Sequence, residues 1–247
     1  MARVLVPLPD RDFDVTEVAV PWRLLTRAGH EVVFCTERGD VAPAADPRLL
    51  TGVIFGRLGA AEEPKRFYAE MLASPGWDTP RSWSDLDVTS YDALMLPGGH
   101  APGMRQYLGS SALQHQVAAF WRLGRPVAAI CHGVLVLART RGEDGRSVLH
   151  GRHTTCLPGY LERSAYLTTA WRLGRYYRTY PDYVETEVRA ALASPADFVR
   201  GPVELSRRGT DTDDRHAFVV EDGSYVSARW PGDAYLFSKA LLSRLPD

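Results

Sequence analysis

The sequence predicts an α/β fold, a flavodoxin-like three-layer sandwich on a mostly parallel central sheet with a cap-like insertion. Two observations carry that expectation. Short apolar runs alternate with stretches of helical period, and crossovers of that length join parallel strands. The apolar run at residues 126–130 also breaks abruptly into Cys131-His132-Gly133 and then into helix, the layout of a nucleophile elbow at the top of such a sheet.

Each element has its own signal. Residues 3–8 form an apolar run closed by Pro7-Leu8-Pro9, a strand with its exit turn. Residues 15–28 repeat Val18, Leu24, Leu25 and Ala28 at helical spacing, and Gly29 follows as a C-cap. Strands are expected at 31–36 and 92–96, the latter ending in Pro97-Gly98-Gly99-His100. A helix at 112–123 stops at Gly124, a fourth strand spans 126–130, and helix resumes at 134–139. Residues 38–90 carry Pro43, Pro47, Pro64, Pro75 and Pro80 around one helical piece at 62–73, an insertion over the strand ends. Residues 142–152 read as a loop, 162–173 and 183–193 as helices, and 210–215 as an acidic turn. Runs at 217–220 and 225–228 flank Asp222-Gly223 as two further strands, and the last helix covers about 233–245. Without an internal repeat or a low-complexity linker, one domain over residues 1–247 is expected.

Composition narrows the function classes. The 247 residues include 29 basic and 30 acidic side chains, a net charge of −1 without a basic stripe, which argues against nucleic acid as a partner. No apolar run reaches the roughly 18 residues of a membrane span, and no signal peptide is read, so a cytoplasmic protein is expected. Cys35, Cys131 and Cys156 are too few and too scattered for a disulfide framework, and none makes a CxxC zinc pair. The histidines show no metal-ligand spacing, so neither a metal nor a cofactor is assigned.

Three elements can carry chemistry. Cys131 at the elbow faces backbone N–H groups and a helix start, which favour thiolate; a packed free cysteine is the plainer reading. Gly98 and Gly99 offer bare backbone N–H groups at a strand's carboxyl end, where an oxyanion hole can form, although the motif by itself is a tight turn. Glu17, early in the first helix, is a proton donor if protonated and a complement to the helix dipole if ionised.

Together Glu17-Val-Ala-Val-Pro21, Leu96-Pro-Gly-Gly-His100 and Ala129-Ile-Cys131-His132-Gly133 resemble the DJ-1/PfpI superfamily, whose fold is like class I glutamine amidotransferases. The resemblance covers residues 2 to about 240, and His132 and the insertion look most like the heat-shock chaperone/glyoxalase III branch. It implies Cys131 as nucleophile, His132 as adjacent acid/base and oxyanion-hole donor, and Glu17 as the acid touching the thiol. Gly98, Gly99 and His100 would line the oxyanion and substrate side. An acid beyond the elbow orients the His in that branch, and Glu162 is the candidate here, with His153 second. Arg229-Trp230-Pro231-Gly232 replaces the distal His and Glu of amidotransferases, which argues against glutaminase activity. Where some relatives carry a His after Thr154-Thr155, this chain has Cys156.

The resulting expectation is a cofactor-independent cysteine enzyme acting on a small carbonyl compound, glyoxalase III-like. A cysteine hydrolase or hydratase on an amide, ester or isonitrile is the first alternative, and a stress chaperone or redox sensor the second. The partner is a small molecule, and relatives of this kind make a homodimer the default. Tyr166, Trp171, Tyr176, Tyr177, Tyr180 and Tyr183, interleaved with arginines, read as a pocket wall, a subunit interface or a packed helix. With the inserted loop they suggest a ligand bulkier than methylglyoxal.

Overall fold

The computed structural model describes residues 1–246. The first unit is β1 (Arg3–Pro7), a short β2 (Arg11–Phe13), helix α1 (Val15–Arg27) and β3 (Glu31–Thr36). The inserted segment follows with β4 (Ala44–Ala45), α2 (Pro47–Thr51), α3 (Glu62–Leu72) and β5 (Arg81–Ser82). Next come β6 (Ala93–Leu96), α4 (Met104–Leu108), α5 (Ser111–Trp121), β7 (Val127–Ile130) and α6 (Val134–Arg139). The last part comprises α7 (Gly159–Leu173), α8 (Val184–Ala191), β8 (Val219–Asp222), β9 (Tyr225–Ala228) and α9 (Ala234–Leu242).

Seven strands make one sheet in the order β5-β3-β1-β6-β7-β9-β8, while β2 and β4 pair separately. Every pairing in the large sheet is parallel except β8 with β9. This is the mostly parallel, flavodoxin-like sheet the alternation predicts. Its inner strands are buried along their length because helices cover both faces: β6 and β7 expose nothing. On one face α1 packs against α3 and α9. On the other, Leu113, Val117 and Phe120 of α5 close over Leu5 and Leu94.

The chain leaves β1 in one direction, to β3 and β5, and resumes on the other side with β6 and β7. The β1/β6 boundary is therefore a topological switch point, and ligands in open α/β sheets bind beyond the carboxyl ends of such strands. Pro97-Gly98-Gly99 and Cys131 leave the sheet there.

The insertion differs from a loop laid over the strand ends. Part of it, β5, extends the sheet by pairing with β3. Another part, around α2, reaches across the strand ends, where Asp46 accepts hydrogen bonds from Tyr176 Oη (3.1 Å) and Tyr177 Oη (3.0 Å). The insertion and the aromatic segment thus build one roof. The hairpin between β8 and β9 turns at Gly223, with Asp222 still paired to Tyr225.

Candidate active site

The elbow comes from a strand that cannot continue and a helix that starts at once. Cys131 has φ +58°, left-handed backbone that a non-glycine residue adopts only when its surroundings impose it. Gly133 makes that possible, since a Cβ there would stand 2.1 Å from the Leu96 carbonyl oxygen. Gly98 lies against the elbow in the same way, with a Cβ position 2.7 Å from His132 N and 3.0 Å from Cys131 Cβ.

Glu17 is delivered by the start of α1. Asp14 caps that helix, accepting from Thr16 N–H (2.8 Å) and Glu17 N–H (3.1 Å). Asp14 N–H in turn donates to the Gly98 carbonyl (2.9 Å), and Gly98 N–H donates to Glu17 Oε2 (2.8 Å). The Gly98 amide is therefore committed to Glu17. This corrects its expected role as an oxyanion donor: its contribution is the missing side chain and the grip on Glu17. Glu17 is fully buried and its carboxyl faces the Cys131 thiol. Burial, and then the charge of Asp14, push its pKa well above the carboxylate range, so it holds a proton at neutral pH. Asp14 itself is raised by burial to about 6.

The thiol also departs from expectation. Cys131 is fully buried, and burial, followed by the neighbouring acids Glu17 and Asp14, drives its pKa up. The His132 N–H works in the opposite direction and is outweighed. Helix-start dipoles alone would favour thiolate, but desolvation is the larger effect here.

His132 supplies the base. Its Nδ1 lies 3.6 Å from Cys131 Sγ, and its Nε2 lies 3.4 Å from Thr179 Oγ1. Thr179 Oγ1 donates its one proton to the His100 carbonyl over a shorter 2.7 Å. The hydroxyl can then only accept from the imidazole, so Nε2 carries the hydrogen and Nδ1 presents its lone pair to the thiol. Burial, then His100 and Arg139, keep the imidazole neutral. Thr179 is buried and held from behind by Arg105 Nε, which donates to its carbonyl (2.7 Å).

The residues of this elbow fall inside a region that a family model covers. Residues 8–202 match the model described as ThiJ/PfpI family-like. The chain belongs to the ThiJ/PfpI family. An uncharacterized protein of Schizosaccharomyces pombe is 30% identical over 97% of this chain and 82% of its own length. A deglycase of Pyrococcus abyssi is 26% identical over 98% of this chain and 99% of its own. Among solved structures, glyoxalase III from Candida albicans superposes with a TM-score of 0.69 at 18% identity, covering 99% and 98% of the two chains. That likeness is one of fold.

In this ThiJ/PfpI chain Glu162 does not orient His132. Its Oε1 accepts from Arg178 (3.3 Å) and its Oε2 from Val184 N–H (2.9 Å), so both oxygens are engaged away from the imidazole. Its helix presents it to the segment that carries Thr179, one residue from Arg178, and any influence on the site passes through that segment. Thr179 was missed because nothing local marks it. The signal was its place within the aromatic run, read there as a pocket wall, a subunit interface or a packed helix. Of these, the wall fits Tyr177, which lines the cavity and is buried against the His100 ring at 5.8 Å. His153 is exposed and pairs with Asp222 on the surface.

His100 stacks edge-on against His132, with ring centroids 4.6 Å apart, and burial lowers its pKa to about 4. Its Nε2 is buried without a hydrogen-bond partner among the described residues. The ligand atoms of His100, Cys131 and His132 lie within 4.8 Å of one another, the one such group among the described residues. A thiolate with two neutral imidazoles is a donor set that suits a soft cation such as zinc, and the spacing of these residues in sequence did not suggest it. Gly99 has φ +158°, and a Cβ there would meet the Asp12 carbonyl at 2.8 Å, which keeps the turn bare. Above the elbow lies a cavity of about 390 Å³ with His100, Asp14, Tyr177 and Trp230 among its walls. Among the described residues no helix is long and apolar enough to cross a membrane.

Proposed function

We propose that the chain is a cysteine enzyme that acts on a carbonyl compound, without a cofactor, as a glyoxalase III-like lyase. One observation carries the reading: a buried thiol held between a neutral imidazole lone pair and a protonated carboxyl. His132 Nδ1 takes the thiol proton as Sγ adds to the aldehyde carbon of a 2-oxoaldehyde, forming a hemithioacetal. Because Glu17 Oε2 already accepts from Gly98, Oε1 is the oxygen left to carry the carboxyl proton beside the sulfur. His132 and Glu17 then move the aldehyde-carbon hydrogen, as a proton, to the neighbouring carbon through an enediol. That shift leaves a 2-hydroxyacyl thioester, and water cleaves it to the 2-hydroxy acid and the free thiol. The net change is addition of one water to the oxoaldehyde, so no oxidant or reductant is consumed.

The test is lactate formation from methylglyoxal by the wild type and by Cys131→Ala. We expect turnover by the wild type alone; equal rates, or none above background in either protein, defeat the reading. A hydrolase acting through the same thiol is the second reading, favoured by the deglycase name of the Pyrococcus relatives. Thioester accumulation from an amide or ester substrate would select it. A homodimer and a cytoplasmic location belong to this proposal, the first checked by light scattering on the purified chain.

A further inference from the structure

The cavity above the elbow is built for more than a three-carbon aldehyde. Its apolar walls come from three separate segments: Leu49, Val53 and Leu58 of the insertion, Leu157 and Leu161 at the entry to α7, and Leu205 beyond α8. His100 and Asp14 line it beside the elbow, and Ser164, Thr168, Thr169 and Arg208 add polar groups elsewhere on its wall. At about 390 Å³ it falls in the size range of pockets that enclose ring-bearing ligands. Apolar surface continues outward at the mouth. Leu58 and Leu205 are each 61% exposed, and Phe55 and Trp171 stack nearby at 6.2 Å while remaining 77% and 67% exposed. A concentration of large apolar side chains around one cavity marks a binding surface. Two lining residues also keep a buried nitrogen without a partner among the described residues, Trp230 Nε1 and His100 Nε2. A buried polar nitrogen left unpaired is costly; a ligand oxygen relieves that cost at the Trp230 N–H, and a ligand carbonyl or hydroxyl can do so at the imidazole.

We propose that this cavity binds a bulky apolar substituent on the carbonyl substrate, an aryl ring or a branched alkyl chain, and so selects aryl 2-oxoaldehydes over methylglyoxal. This rests on the carbonyl-addition reading above for its chemistry, though not for the binding itself. The vicinal oxygens of the substrate lie beside His100 and Trp230, facing their unpaired nitrogens, and the substituent points along the leucine wall toward Leu58 and Leu205.

The experiment compares kcat/KM for phenylglyoxal and methylglyoxal in the wild type, Leu161→Arg and Val53→Trp. Taking the ratio within each protein and comparing it between proteins cancels the intrinsic reactivity of the two aldehydes. Burying an aryl group predicts a preference of roughly 10- to 100-fold for phenylglyoxal in the wild type, reduced toward unity in both variants. Acetophenone binding to Cys131→Ser, followed by tryptophan fluorescence, reports the cavity without turnover and is expected to weaken when either wall change is added. If neither aldehyde turns over but acetophenone binds and the wall changes weaken it, the apolar site stands and the lyase reading falls. A preference that both wall changes leave intact, or acetophenone binding that neither weakens, overturns the proposal.

Discussion

At the scale of single residues, the site is organised by where its protons sit. Two acids, Asp14 and Glu17, share the start of α1, and burial together with the charge of Asp14 makes Glu17 the one that keeps its proton. If Glu17 is neutral, replacing it by Gln preserves the local charge. Glu17→Gln is therefore expected to leave the pH midpoint of Cys131 alkylation by iodoacetamide unchanged within about half a unit, and a fall of more than about one unit would show an ionised Glu17. The same carboxyl is the proton donor in catalysis, so the Gln variant should alkylate normally and turn over poorly. Thr179 fixes the imidazole tautomer from the far side of the ring. Thr179→Val should reduce kcat/KM roughly 10- to 100-fold, and Thr179→Ser should restore most of it. A loss in kcat/KM that Ser fails to rescue would mean that the hydroxyl is not what matters.

At the scale of elements, the elbow stores backbone strain at its nucleophile. A left-handed Cys131 carries a steric cost that glycine does not have. Cys131→Gly should therefore be more stable than Cys131→Ala by about 1 kcal/mol in urea unfolding, and the opposite order would show that the turn is relaxed. Gly133 has no such latitude: with a Cβ 2.1 Å from a carbonyl oxygen, Gly133→Ala forces strand and helix apart.

The elbow and the strands beside it were legible because their signals are local. Apolar runs, Pro-Gly-Gly and Cys-His-Gly each occupy a few consecutive residues. The two- and three-residue strands β2, β4 and β5 were not, since a period needs more residues than they have. Thr179 and Glu162 show the same limit in the site. Sequence spacing selected a carboxylate on the right helix but could not say which way it faced, and the real partner of His132 sits in a turn between α7 and α8. The thiol pKa was misjudged because the helix start is visible in the sequence and the depth of burial is not.

At the scale of the molecule, the roof over the site is held by buried polar contacts between distant segments: Asp46 to Tyr176 and Tyr177, and Glu162 to Arg178 and Val184. Burial outweighs the Val184 N–H and the Arg178 charge and raises the Glu162 pKa to about 7. A carboxyl that binds its proton more tightly folded than unfolded stabilises the fold fully below its ordinary pKa, near 4.5, and loses that contribution as pH rises through about 7. Stability should thus fall between those values by at most about 3 kcal/mol on this account. Glu162→Gln should flatten that slope in urea midpoints taken across the range, whereas an unchanged slope would place the pH dependence elsewhere. The insertion was readable as a cap from its prolines, but its fusion with the aromatic segment into one roof depends on contacts between residues 46 and 176–177, which no local pattern encodes.

In the proposed reaction Cys131 forms a covalent bond to the carbonyl carbon. Acid-quenching the enzyme during turnover of a 2-oxoaldehyde and mapping the peptide masses tests this directly. The peptide carrying Cys131 should gain the full mass of the oxoaldehyde, as hemithioacetal or thioester, and lose it when substrate is exhausted. Steady turnover with that peptide unmodified, or with the added mass on Cys35 or Cys156, would contradict it.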